Sequence, residues 1–141
     1  MHAVAASVVV DTGPIVALLD ADDQYHAWVR AQFARLRPPL LSCEAVLTES
    51  CFLIARGGGN ASDVLQLVER GVVRIAQLFD AEAASVARLM HRYRNVPMSL
   101  ADACLVRMAE LAGHCQVFTT DRHFRIYRRH GRHLVPLLAP F

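Results

Sequence analysis

The run Ser7-Val8-Val9-Val10-Asp11-Thr12-Gly13-Pro14 constrains this chain more than any other stretch. Consecutive β-branched residues fit a strand covered on both faces, as in the centre of a parallel sheet. Gly13-Pro14 then breaks the strand. A proline suits the first turn of a helix, where its missing N–H would have had no partner. Asp11 is thereby placed at the carboxyl end of a central strand, facing a helix N-terminus, where open α/β sheets hold their ligands. Capping the next helix is an equally good use for that carboxylate. The rest of the chain has to separate the two readings.

Strand and helix signals alternate from there on. Strands are expected near 4–11, 40–42, 72–75, 115–120 and 134–135. Helices are expected near 14–19, 44–56, 80–93 and 99–112, with another running to about Glu69. A further helix carries Tyr25, Trp28 and Val29 as a core-facing stripe, with Asp22 or Asp23 as its cap. Gly113 stands where a helix C-cap belongs. With 141 residues, 54% of them hydrophobic, the chain has the length and apolar content for one domain, residues 1–141. The pattern predicts a single-domain three-layer α/β/α sandwich with a mostly parallel central sheet.

Composition removes several function classes. No apolar run approaches the ~18 residues of a membrane span. The start lacks a basic segment, and Asp11 interrupts its apolar run, so no secretion signal is expected. Cys43, Cys51, Cys104 and Cys115 show no CxxC spacing and lie among apolar neighbours. They read as reduced, buried thiols in a cytoplasmic protein rather than as a zinc site. All 15 basic Lys/Arg positions are Arg. With no lysine, a Walker A phosphate loop, a receiver-type phosphoacceptor site and Schiff-base chemistry are all excluded. Gly57-Gly58-Gly59 is therefore a turn and not a phosphate cradle.

Four acids stand out against this background. Asp121 repeats the setting of Asp11, because the apolar run Cys115–Phe118 leads through Thr119-Thr120 into it. Asp102 lies three residues after Ser99, the spacing of a capping box, yet Ala101, Ala103 and Leu105 surround it. Glu49 falls mid-helix, where no cap is needed. Ala45, Val46, Phe52 and Leu53 are its neighbours one turn away, and no basic residue lies within a turn to pair with it. A lone carboxylate in an apolar setting is costly unless it is neutralised or paired. Brought together, such acids repel, and a hard divalent cation removes the conflict. Mg²⁺ prefers oxygen ligands, keeps waters and binds phosphate substrates alongside carboxylates.

The motifs Val9-Val10-Asp11-Thr12, Leu47-Thr48-Glu49, Leu100-Ala101-Asp102-Ala103 and Thr119-Thr120-Asp121-Arg122-His123-Phe124 occur in that order over nearly the whole chain. The set resembles the PIN domain of metal-dependent ribonucleases, particularly the VapC-type toxins of toxin–antitoxin pairs. The resemblance implies that Asp11, Glu49, Asp102 and Asp121 are catalytic, metal-holding acids, with Thr12 and Thr120 as supporting polar residues. It implies Mg²⁺- or Mn²⁺-dependent endonucleolytic cleavage of RNA, homodimerisation and inhibition by a small antitoxin. One position departs from the pattern. Gly13 stands where a Ser or Asn often follows the first acid, which removes a side chain that would hold a water.

The segment after Asp121 is rich in Arg and His. Arg122, Arg125, Arg128 and Arg129 are expected to track an RNA backbone, since guanidinium groups bind phosphates bidentately. Other readings remain open. Asp11-Thr12-Gly13 also spells the aspartic-protease triplet, but those enzymes are all-β. A haloacid-type phosphatase needs a second Asp where Gly13 stands. An RNA-maturation nuclease, or a non-catalytic PIN-type module binding RNA or protein, shares the same fold.

Overall fold

A computed structural model of the chain describes residues 7–141. Its element order is β1 (Ser7–Val10), α1 (Thr12–Leu19), α2 (His26–Arg35), β2 (Leu40–Ser42), α3 (Glu44–Arg56), α4 (Ser62–Glu69), β3 (Val73–Ile75), α5 (Phe79–Arg92), α6 (Leu100–Ala112) and β4 (Cys115–Phe118). A single 3-10 turn, Arg122–Arg125, follows, then β5 (Arg128–Arg129), β6 (His133–Leu134) and β7 (Leu137–Leu138). The part of the first expected strand before Ser7 lies outside the described residues.

Five strands form a sheet in the order β3-β2-β1-β4-β7, and each neighbouring pair is parallel. Residues in β1 face both neighbours at once: Val9 is level with Leu41 and Val117, and Val10 with Phe118. Val9, Val10 and Val117 are buried, as the β-branched run requires of a central strand. From β1 the chain steps outward to β2 and β3, then returns past both to β4. Right-handed crossovers in opposite directions put helices on opposite faces. Accordingly α1 packs on α2 and α3, whereas α5 packs on α6, and α6 lies against β1 and β4.

Both faces are sealed by specific contacts. Phe118 is fully buried and meets the rings of Trp28 and Phe33 of α2 at 5.8 and 5.3 Å. In α6, Ala101 through Val106, Met108 and Ala109 are all buried. A helix apolar all round belongs in a core, and its alanines let it lie close to the sheet. Tyr127 packs on Tyr93 and Phe124 at 5.2 Å each, closing the α6 side.

Two local expectations are corrected. The expected cap of α2 by Asp22 or Asp23 is absent, since Tyr25 precedes the helix with no side-chain cap; Asp23 instead accepts from the Tyr25 N–H at 2.8 Å. The last strand of the main sheet is Leu137–Leu138, while His133–Leu134 pairs antiparallel with β5 in a separate ribbon. Strand length decides this: two-residue strands carry too little alternation to be told apart by pattern.

Candidate active site

The strand order reverses between β1 and β4, so the loops leaving their carboxyl ends diverge and open a crevice. Asp11 follows β1 directly and is buried. Its Oδ1 accepts from the Thr12 N–H at 2.8 Å, so it does cap α1. Its Oδ2 accepts from the Thr119 hydroxyl, also at 2.8 Å. The same Thr119 oxygen accepts from the Asp121 N–H at 2.9 Å. Thr119, itself fully buried, thus ties the two strand ends together.

Asp102 reaches the crevice from α6. It completes the capping box with Ser99, its N–H donating to Ser99 Oγ at 3.0 Å and its Oδ2 accepting from the Ser99 N–H at 3.3 Å. The box does not leave it in water, because the buried Tyr127 hydroxyl donates to Asp102 Oδ2 at 2.8 Å. Glu49 approaches from α3, its Oε2 accepting from the Thr12 hydroxyl at 2.9 Å. That places Glu49 beside the residue next to Asp11, and not in bulk solvent. Asp121 caps the 3-10 turn through the His123 N–H and contacts His123 Nδ1 at 2.9 Å; its side chain is 40% exposed, the more open of the two strand-end acids.

The acids perturb one another. Burial raises the Asp11 carboxyl to about 7; the Thr119 bond opposes this, while Asp102 and Asp121 add to it. Asp102 is raised as well, first by burial and then by Asp121, with the Tyr127 and Ser99 bonds opposing. Tyr127 is driven up in turn by burial and by its bond to Asp102, so its hydroxyl stays a donor. No lysine or arginine bridges this group: the salt bridges among the described residues are Arg107 with Glu82 and Glu110, and His123 with Asp121.

This donor set fits a hard cation. It offers carboxylate oxygens, of which those of Asp11 and Asp102 are raised chiefly by burial, and a positive charge between them would relieve both burial and repulsion. Among the described residues no three His, Cys, Asp or Glu side chains stand close enough to close a metal cage. An open set suits Mg²⁺, which keeps several waters and binds through one or two carboxylates.

Gly13 has a steric reason. A Cβ there would overlap the Thr120 hydroxyl and press on Thr120 Cβ at 3.3 Å. The space vacated at position 13 is therefore filled by the Thr120 oxygen. Sequence reasoning missed Thr119 and Tyr127. The doubled Thr before Asp121 was the available signal for the first; nothing local marks the second. A cleft of about 690 Å³ lies between the N-terminal turns of α3, α5 and α6, lined by Glu44, Thr48, Phe79, Asp80, Leu100 and Cys104, and none of the four acids lines it.

The arginines divide. Arg128 donates to the carbonyls of Arg125, Ile126 and Tyr127 at 2.7 to 3.1 Å, and Arg129 to that of Gly113 at 2.9 Å. Arg122 and Arg125 instead lie over the Phe141 ring.

A parallel α/β sheet with a carboxylate-lined crevice at its switch point defines a class of acid-site α/β proteins. The PIN domain model matches residues 8–129, and the chain belongs to that family. It is 28% identical over 127 residues to "Ribonuclease VapC26" of Mycobacterium tuberculosis, covering 88% of this chain and 94% of that one. The fold is shared with VapC20 of the same organism, described as a sarcin-ricin loop cleaving toxin, at a TM-score of 0.74 and 22% identity, over 82% of this chain and 90% of that one. Among the described residues no helix is long and apolar enough to cross a membrane.

Proposed function

We propose that this PIN domain is a metal-dependent endoribonuclease, the toxin of a toxin–antitoxin pair acting in the cytoplasm. The observation that carries the reading is the buried Asp11 carboxylate, tied through the Thr119 hydroxyl to the Asp121 backbone after the neighbouring strand, with Thr12 linking Glu49 alongside. Carboxylates with a purely structural role are kept apart or paired with cations; these gather at one sheet edge with no arginine bridging them. The names of the VapC relatives supply RNA as the polymer.

A divalent ion, Mg²⁺ or Mn²⁺, would draw one or two carboxylate ligands from among Asp11, Asp102, Asp121 and Glu49, with water completing its shell. Its contribution when bound is to polarise the phosphodiester and offset charge on the leaving oxygen. Thr119 fixes Asp11 and the Asp121 backbone in one orientation, and Thr12 does the same for Glu49. Tyr127 and the Ser99 N–H both hold Asp102 Oδ2, so the protein's bonds to this carboxylate fall on one oxygen. Asp121 is open to solvent, and its Oδ1 is occupied by His123. Its Oδ2 is thus the oxygen left to orient an attacking water, or to serve as a metal ligand in place of that role.

Two protein partners complete the reading. One is a second copy of the chain. The other is a small antitoxin protein.

The test is cleavage of a mixed RNA by purified protein. Activity is expected with Mg²⁺ and is abolished by excess EDTA, Asp11→Asn or Asp102→Asn, with circular dichroism unchanged. Undiminished cleavage in EDTA, or by either variant, rejects the assignment.

A further inference from the structure

Arg122 and Arg125 are both exposed, and both guanidinium groups sit over one aromatic ring, that of Phe141, at 5.0 and 4.6 Å from its centroid. Among the described residues neither guanidinium forms a salt bridge or donates a hydrogen bond. Two like charges gathered on one ring, with no salt-bridge partner among the described residues, are an arrangement that an anion completes. The ring contact has a second consequence. Cation–π attraction engages the guanidinium face and leaves the planar N–H edges free, and those edges make bidentate bonds to phosphate.

The location is set by the sheet. Strand β7 runs parallel to β4, and the Thr119 N–H donates to the Leu138 carbonyl at 3.1 Å. The chain beyond Leu138 therefore leaves the sheet at the same carboxyl edge as Thr119 and Asp121. Phe141 is delivered to the rim of the acid crevice, next to the 3-10 turn that Asp121 caps. We propose that Phe141 is a positioning residue that holds Arg122 and Arg125 as a clamp for a backbone phosphate of single-stranded RNA, adjoining the scissile one. This rests on the ribonuclease reading above and adds to it the phosphate contact and the residue that builds it. Arg128 and Arg129, turned to backbone carbonyls, lie outside the clamp.

The measurement is fluorescence-anisotropy binding of a labelled single-stranded RNA of about twelve nucleotides, over a KCl series, in an Asp11→Asn background that keeps the probe intact. Phe141→Leu and Phe141→Ala should weaken binding roughly tenfold. They should also flatten the salt dependence by about 0.7 for each phosphate that the clamp no longer neutralises. Phe141→Tyr, which keeps the ring, should bind as the parent does. Adding Phe141→Leu to Arg122→Ala/Arg125→Ala should change little further. In the cleaving background the loss should appear in KM and not in kcat. Parent-like binding and salt slope in Phe141→Leu overturn the clamp, and leave an acidic protein segment as the anion for these arginines. RNA cleavage by the parent with an unaffected Phe141→Leu rejects the clamp alone. Ring-dependent RNA binding without cleavage keeps the clamp and rejects the nuclease.

Discussion

Replacing Asp11 by Asn should stabilise the metal-free protein above neutral pH while destroying its site. The carboxyl is raised from 3.8 to about 7, chiefly by burial. A raised carboxyl favours the protonated form in the folded state. Its contribution to stability is complete below about pH 3.8, declines as the unfolded chain begins to ionise, and is gone once pH passes about 7. At ~1.4 kcal/mol per decade, the loss across that window approaches ~4 kcal/mol. Asparagine carries no charge and is spared it. It does sacrifice one acceptor, because a single amide oxygen cannot serve both the Thr12 N–H and the Thr119 hydroxyl, at ~1–2 kcal/mol. The net gain at pH 8 is then ~2–3 kcal/mol, or roughly 5–10 °C in Tm for a domain of this size. Asp102, also raised first by burial, remains in both proteins, and losing the Asp11 charge relieves it in the same direction, so the difference reads Asp11 together with its coupling to Asp102. The assay is thermal unfolding in EDTA from pH 4 to 8, repeated with Mg²⁺. The variant should match or fall below wild type at pH 4 and exceed it at pH 8, and Mg²⁺ should close the gap by stabilising wild type alone. A pH-independent difference, or a wild type that gains on the variant as pH rises, would refute the reasoning.

Other substitutions address the supporting contacts. Tyr127→Phe removes the hydroxyl that holds Asp102 Oδ2; apparent Mg²⁺ affinity, read by thermal-shift titration, should fall about tenfold. Thr119→Val keeps the shape but releases both Asp11 Oδ2 and the Asp121 N–H; a loss of ~2–3 kcal/mol in urea unfolding is expected. Gly13→Ala drives a methyl group into Thr120 and should cost ~1–3 kcal/mol. Adding Thr120→Ala should recover most of that loss, and a double-mutant cycle showing no coupling would contradict the steric account.

The fold was legible wherever its cause is local. The Ser99–Asp102 capping box and Gly113 at φ 73° after α6 rest on interactions spanning a few residues, and the β-branched run through Val9 and Val10 marks a strand by residue type alone. Short elements were not legible. Two-residue β7 has no period of its own and exists because β4 offers an unpaired edge. The site divided in the same way. Glu49 was conspicuous because its helix gives it nothing to pair with, but its actual partner, Thr12, is 37 positions away.

Sequence by itself singled out Glu49 as an acid with no local partner, and placed Asp11 and Asp121 just after two apolar strands and Asp102 in a capping box. Tertiary structure decided how those acids are held. The Thr119 bond to Asp11 spans 108 positions, and the Tyr127 bond to Asp102 spans 25. It also decided which arginines remain available, since Phe141 reaches Arg122 and Arg125 only through the pairing of β7 with β4. The physical reason is one of range. Helix caps and strand periods depend on backbone bonds within a turn or a pleat, whereas a carboxylate's neighbours are fixed only when distant segments share one sheet edge.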